Sequence, residues 1–394
     1  MKVSFVVAIL VLASLFSSPA YAYPFMIGHG YTSCAQCHVD PSGGGVLTEY
    51  GRGQAEIFMR STYGKHAEEP GPIKDFAFGV PLPKEVQLQG DVRSLIFPRP
   101  VDAEAKEWML RFILMQADLR AHVKLGGFHA YGSAGYVSEG ADGAWISSNT
   151  GTGDNAVSRE HWLGYDVTKG LMVRAGRLAL PFGIRTEEHL LYARSATRTT
   201  TNDDQQMGID AVYGRGKWRA ELMGIAGNFQ IAPDAYRERG YSALVAYAPA
   251  NNLEMGVSSL WTTAELDVDL PLPRRRQAHG LFGRYAPLEK VRFLAEANVT
   301  TSRFDGGGPL DVGSVGYLQV DTEPVGGVHI KGTAEWCETE HGDALAPVGR
   351  GTVTALWFFA PHMDVRLDAI YGALYCTPGV EASPAATAQF HMFL

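Results

Sequence analysis

The chain has 394 residues, of which 46% are hydrophobic and 45 are glycine, with four cysteines and a formal net charge of -8. The negative balance argues against a nucleic-acid partner, because phosphate recognition calls for clustered Lys and Arg. Four cysteines are too few for a disulfide-built scaffold, so each needs its own account.

The chain opens "MKVSFVVAILVLASLFSSPAYAYPF": one Lys, an apolar run over residues 3–16, then small residues ending Ala20-Tyr21-Ala22. That order reads as a secretion signal over residues 1–22 with an A-x-A cleavage site; the run is too short and wrongly flanked for a membrane span. A retained anchor is the competing reading. No later stretch approaches the roughly 18–20 continuous apolar residues of a membrane helix, so any membrane role must use strands.

Residues 23–84 form the next unit. Cys34-Ala35-Gln36-Cys37-His38 is the C-x-x-C-H arrangement of c-type haem attachment. Two thiols at this spacing reach the two vinyl groups of one porphyrin edge, and the next residue swings under the ring as an imidazole ligand to iron. Export supplies the compartment in which this chemistry occurs. One covalent haem c is therefore expected, anchored by Cys34 and Cys37 with His38 as proximal ligand. A Cys34–Cys37 disulfide, a zinc site and chance compete; no second C-x-x-C or H-x-x-H is present to complete a zinc site.

The sixth iron ligand has several candidates. Met26 and His29 lie upstream; Met59, on an expected helix over 47–60, and His66 lie downstream. His29, five residues before Cys34 and between glycines, is placed to fold back over the ring and is taken as the distal candidate, with Met59 and Met26 as alternatives. Its plain reading is a loop histidine. A Met ligand would raise the potential and a His would lower it.

The stretch "VDPSGGG" at 39–45 follows no strand and precedes no Lys-Ser or Lys-Thr, so it does not read as a phosphate loop. Close backbone approach to the haem, which glycine permits, is the expectation. Arg52 in "YGRG" reads either as a propionate partner or as a solvated arginine. About sixty residues are marginal for a domain, so the segment should lean on the remainder of the chain.

Residues 85–394 alternate. In "VHIKGTAEWCE" at 328–338, Val328, Ile330, Ala334 and Trp336 oppose His329, Lys331, Thr333, Glu335 and Cys337. "MDVRLDAIYGALYC" at 363–376 starts the same way. Apolar outside and charged inside over ten or so residues fits an outer-membrane antiparallel β-barrel better than a soluble sandwich. About sixteen such strands are expected: 86–97, 107–121, 127–138, 159–168, 171–180, 206–214, 216–226, 240–248, 253–263, 277–286, 290–301, 312–322, 326–338, 350–360, 363–376 and 385–394. Their connections are short on one side ("KG", "GRG", "APANN", "APLEK", "EPVG", "APHM") and longer on the other, the asymmetry of an outer-membrane barrel with both termini on the periplasmic side. The haem segment would then lie in the periplasm or in the periplasmic mouth of the lumen.

The longest loop, 181–206, is dense in charge: Arg185, Glu187, Glu188, His189, Arg194, Arg198, Asp203 and Asp204. It could enter the lumen as a constriction, or Glu187, Glu188 and His189 could contact a metal ion outside; for any one residue, a solvated surface position is the plain reading. Cys337 and Cys376 fall near the outer ends of the thirteenth and fifteenth strands. One intervening strand puts them ~9–10 Å apart, beyond disulfide reach unless the ends bend inward. Free thiols are expected.

"CAQCH" joined to a barrel of about sixteen strands resembles the fused monohaem cytochrome-porins, known best from iron-oxidising bacteria, and "GRLALPFGIR" at 176–185 is similar to a segment common in porin-like barrels. The resemblance implies electron transfer across the outer membrane, a periplasmic electron carrier such as a c-type cytochrome as partner, and an external metal ion or small redox donor, with extracellular Fe(II) oxidation as one such role. An electron carrier is expected rather than a substrate-transforming enzyme. The alternative is a solute-selective porin whose haem segment is a plug or redox sensor; a porin without haem is the third reading.

Overall fold

The computed structural model describes residues 23–61, 82–102, 107–137, 156–186, 188, 190–201, 204–229, 231, 234–268, 270–305, 309–338, 347–376 and 380–393. The secretion signal, His66, Glu187, His189 and Asp203 lie outside the described residues.

Sixteen antiparallel strands close into a barrel: β1 (Val86–Asp102), β2 (Glu107–Leu125), β3 (Phe128–Tyr136), β4 (His161–Thr168), β5 (Leu171–Leu178), β6 (Gln206–Arg215), β7 (Trp218–Gly227), β8 (Arg239–Ala250), β9 (Leu253–Ala264), β10 (Arg274–Leu288), β11 (Val291–Phe304), β12 (Asp311–Val325), β13 (Val328–Glu338), β14 (Val348–Ala360), β15 (Met363–Gly372) and β16 (Ser383–Phe393). A two-residue segment, Ala156–Val157, pairs beside the far end of β3. Each strand pairs with its sequence neighbour, and β1 closes onto β16 from Asp91↔Phe393 to Ile96↔Ala388. Closure removes the unpaired edges that would otherwise expose backbone donors and acceptors.

The side chains face as the alternation requires. On β13, His329, Lys331, Thr333, Glu335 and Cys337 are buried inside while Ile330, Ala334 and Trp336 face out; β15 repeats the pattern with Asp364, Arg366 and Asp368 inward. Outside, Leu163, Ile209, Leu281 and Leu367 are exposed, flanked by Trp218, Tyr285 and Trp357 near the short turns and by Tyr136, Tyr241, Trp336 and Tyr371 toward the long-loop end. An apolar wall between two aromatic belts is the exterior of a barrel solvated by lipid.

Two features depart from the expected pattern. The fifteenth strand stops at Gly372 rather than 376, and the chain after it bends inward across the start of β14. Cys376 thereby reaches Cys337, and the two form a disulfide with Cα atoms 5.8 Å apart; the expectation of free thiols is corrected. The first strand runs to Asp102 rather than 97, past Pro98. Above Ile96 it pairs with β2 but no longer with β16. Pro98 therefore sits where a missing N–H costs no ladder bond.

Candidate functional site

Residues 23–61 lie inside the short-turn end of the barrel. A 3₁₀ turn, Pro24–His29, starts with Pro at a position where a missing N–H is harmless and buries Phe25 and Ile27. The Phe25 ring packs 4.1 Å from His329 and edge-on to Phe358. A second turn, Cys34–Gln36, is closed by hydrogen bonds from Cys37 N (3.1 Å) and His38 N (3.0 Å) to the Cys34 carbonyl. That local winding holds Cys34, Cys37 and His38 together. Both thiols are unpaired.

Helix α1 (Glu49–Phe58) caps this turn. Thr48 accepts from Gly51 N at 3.0 Å as the N-cap, and its own backbone N–H donates to the Cys37 carbonyl at 2.8 Å. The helix packs so closely that a Cβ on Gly51 would sit 2.1 Å from that carbonyl. Met59, at the C-terminus of α1, is buried.

The result is a cavity of about 50 Å³ onto which Cys34, Cys37, His38, Met26, Met59 and Arg284 all face. His38 is buried, and its Nδ1 has no hydrogen-bond partner. Burial pushes its pKa down to about 4, the Asp40 carboxylate opposing, so the imidazole is neutral at pH 7 and has a lone pair to offer. Burial, then the neighbouring Cys34, pushes the Cys37 thiol up to about 11. Paired thiols, a desolvated neutral imidazole and two thioethers around one cavity suit a haem c.

His29 does not line this cavity. Its ring stacks on Phe58 at 4.1 Å, with Nε2 3.2 Å from Arg292 and 3.5 Å from Glu323 and Nδ1 3.6 Å from Glu289. Of the described distal candidates, Met26 and Met59 reach the cavity. Arg52 donates to the Leu88 carbonyl of the wall at 3.2 Å. Among the described residues, the arginine that faces the cavity is Arg284 of β10, which also binds Thr32 O at 2.8 Å; nothing in its local sequence marks it.

The glycine run forms the tip of a turn that reaches the barrel wall. Residues 38–47 form a small hairpin, with His38 bridged to Leu47 and Val39 N bonded to Val46 O. Gly43, Gly44 and Gly45 take φ of 91°, 100° and 60° at its tip, a conformation glycine alone adopts without strain. A Cβ on Gly45 would lie 2.0 Å from the Tyr131 hydroxyl. The close approach is to the barrel wall at Tyr131, while the Gly44 and Gly45 backbone also lies against the His38 imidazole.

That tip is latched. Asp40 accepts from Arg174 Nη1 at 2.6 Å, and Arg174 also binds Asp210 and Glu221. Burial pushes the Asp40 carboxyl up, but the Arg174 and Arg185 guanidiniums outweigh it and hold the group below the ordinary carboxylate value. Ser42 donates to Glu221, and the Gly43 carbonyl accepts from Arg185. At the other end of the segment, Ser61 N donates to Phe358 O at 2.7 Å.

Arg185 belongs to the loop after β5, which folds into the lumen. Its Gly183 N donates to Ser258 Oγ (2.8 Å), Ile184 N to Glu296 (2.9 Å) and Tyr192 N to Glu335 (2.8 Å). Arg194 pairs with Glu296. Leu191, Tyr192, Ala193 and Arg194 are buried, in or beside the short helix α2 (Tyr192–Thr197). The constriction is thus the observed arrangement, and the solvated surface reading fails for these residues. Glu188 pairs with Lys331 (3.2 Å) and Arg366 (3.4 Å) of the wall; among the described residues no group of three His, Cys, Asp or Glu is arranged to hold a metal ion. A second cavity, of about 20 Å³, lies between Cys34 and Phe182 and Ile184 of the loop.

No protein-family model matches the chain, and no curated protein matches it. Among solved structures, OmpT of Vibrio cholerae is similar over 80% of this chain and 100% of its own, with a TM-score of 0.60 and 10% identity. An anion-selective porin from Comamonas acidovorans covers 78% and 99% with a TM-score of 0.56 and 14% identity. The outer membrane channel DcaP of Acinetobacter baumannii covers 78% and 97%, with a TM-score of 0.53 and 11% identity. At these identities the likeness establishes the fold, a porin-type barrel of sixteen strands, and the fold alone.

Proposed function

We propose that this chain is an outer-membrane electron-transfer protein, a monohaem c-type cytochrome held as a plug inside a porin-like barrel. The observation that carries the reading is the cavity onto which Cys34, Cys37, His38, Met26 and Met59 all face inside the wall. A haem c bound there would supply one reversible electron. Cys34 and Cys37 would fix it, neutral His38 would bind the iron, and Met59 or Met26 would be the sixth ligand in place of His29. Arg284 would meet a propionate, while α1 and the barrel wall exclude water. Burial and a thioether ligand together favour a raised potential.

The site lies at the short-turn end of a barrel whose apolar band is ~25 Å tall. A periplasmic carrier can approach it from below; an external reductant such as Fe(II) or a small organic donor has to enter from above as far as the constriction. The second reading, a porin gated by its N-terminal segment, draws on the porin-type fold. The latched N-terminal segment argues against steady diffusion.

Vesicles that contain the purified protein and enclose an electron acceptor separate the two. Reduction of the enclosed acceptor by an external one-electron donor, abolished by Cys34→Ala/Cys37→Ala, is the expected result. Passage of neutral solutes at porin rates with no acceptor reduction would favour the gated pore.

A further inference from the structure

The short-turn rim is electrostatically one-sided, although the chain as a whole carries -8. Exposed Lys84 precedes β1, Lys124 ends β2, Lys169 sits in the β4–β5 turn, and Arg215 and Lys217 flank the β6–β7 turn. These turns are neighbours in space: Val86 pairs with Val123, Phe128 with Tyr165, and Gly214 N donates to Gly170 O at 2.7 Å. With adjacent strands ~4.8 Å apart, the five cations occupy one continuous arc of roughly 30 Å. Among the described residues of the arc, two exposed or half-exposed acids interrupt it, Glu85 and Asp166, the latter paired with Lys124 at 3.0 Å. The remaining short turns carry Asn251 and Asn252, Glu289 beside Lys290, Gly326 and Gly327, and Pro361 with His362, and build no comparable charge.

The arc borders an opening into the haem-binding segment. A mouth of about 320 Å³ is lined at its rim by Lys84, Lys124 and Gly214, and in its depth by Ala35 and His38 of the C-x-x-C-H turn. A partner seated on the cations therefore faces the deepest point of the proposed redox site.

We infer that this arc is the docking surface for a small electron-carrier protein with an acidic face, which exchanges electrons through the mouth above His38. The inference rests on the function proposed above and names the partner class of that site. Charge complementarity is the argument. Redox encounters bury little area and are steered by opposite charge, which speeds arrival and makes it sensitive to salt.

The test uses the full-length protein in detergent and two probes, plastocyanin as an acidic one-electron carrier and mitochondrial-type cytochrome c as a basic one. Lys169→Glu/Arg215→Glu/Lys217→Glu changes three cations that do not line the mouth. The expected result is at least tenfold weaker binding of plastocyanin, a flattened salt dependence, and a gain for the basic cytochrome. Lys169→Arg/Lys217→Arg should bind as the parent does. Heat-modifiable gel migration verifies that each barrel is folded. Equal plastocyanin affinity in the folded charge-reversed variant overturns the proposal; so does an effect confined to phosphatidylglycerol vesicles, which would make the arc a lipid-headgroup contact. Binding is read without reference to haem, so a missing haem spectrum with docking intact would fail the redox reading and leave the docking surface standing.

Discussion

Asp40→Asn isolates the latch that holds the N-terminal segment in the lumen. The carboxylate is 1% exposed, as is its partner Arg174, and their contact is 2.6 Å. Removing one partner of a buried ion pair costs about 3–5 kcal/mol when the other is stranded. Arg174 is not stranded, because Asp210 and Glu221 remain beside it, and an asparagine oxygen can still accept from Ser42 N, now at 2.8 Å. The expected loss is therefore smaller, about 2–3 kcal/mol. At 1.4 kcal/mol per factor of ten, the undocked population rises roughly 30- to 150-fold. Conductance across a planar bilayer reads this directly as more frequent openings, with the barrel intact by gel migration. The parent should show such openings as pH falls below about 3.9. A carboxyl whose folded value is depressed gives stability that is present above the unfolded value and is lost as pH falls through the folded one. The variant, with no carboxyl at position 40, should show a smaller acid step. Equal opening frequency in both proteins, or a parent that conducts continuously at neutral pH, would refute the latch.

Met59→Ala should lower the haem potential and remove the red-edge absorption of a sulfur-ligated ferric haem; if Met26 is the ligand instead, Met26→Ala does so and Met59→Ala does not. His29→Ala should leave that absorption unchanged, as its ring is engaged by Phe58 and Glu323. Gly45→Val places a Cβ against the Tyr131 hydroxyl and should reduce the yield of plugged protein, with partial recovery in Gly45→Val/Tyr131→Ala measured by protease resistance of the N-terminal segment. Cys376→Ser should loosen the constriction by about 2–4 kcal/mol, read as a lower temperature of heat-modified migration. Dithiothreitol should do the same to the parent and nothing further to the variant.

The wall was legible because its two faces differ chemically at every step. His329, Lys331 and Glu335 cannot face lipid, and Ile330 and Trp336 have no reason to face a charged lumen, so β13 could be oriented from its residues. Strand ends were harder to read. Pro98 reads as a stop, yet β1 continues because closure leaves that stretch one neighbour to pair with; Tyr375 and Cys376 read as strand, yet the chain peels inward after Gly372.

The C-x-x-C-H spacing stands out in the sequence because two thiols so placed match one edge of a porphyrin. Its surroundings depend on contacts across the barrel. Arg284 is 246 positions from His38, and the Asp40 latch joins residues 134 apart; no local pattern announces either. His29 illustrates the limit. Its position in sequence allows it to fold back over the C-x-x-C-H turn, but the turn Pro24–His29 places it against β11 and β12, whereas Met26 and Met59 line the cavity.

The account stands on covalent haem at the C-x-x-C-H turn. A pyridine haemochrome spectrum of the purified full-length protein, expressed with the c-type maturation machinery, tests that claim most directly. One haem c per chain, absent in Cys34→Ala/Cys37→Ala with the barrel still folded, is the predicted result. A folded barrel with no covalent haem, from cells that mature a control cytochrome normally, would contradict it.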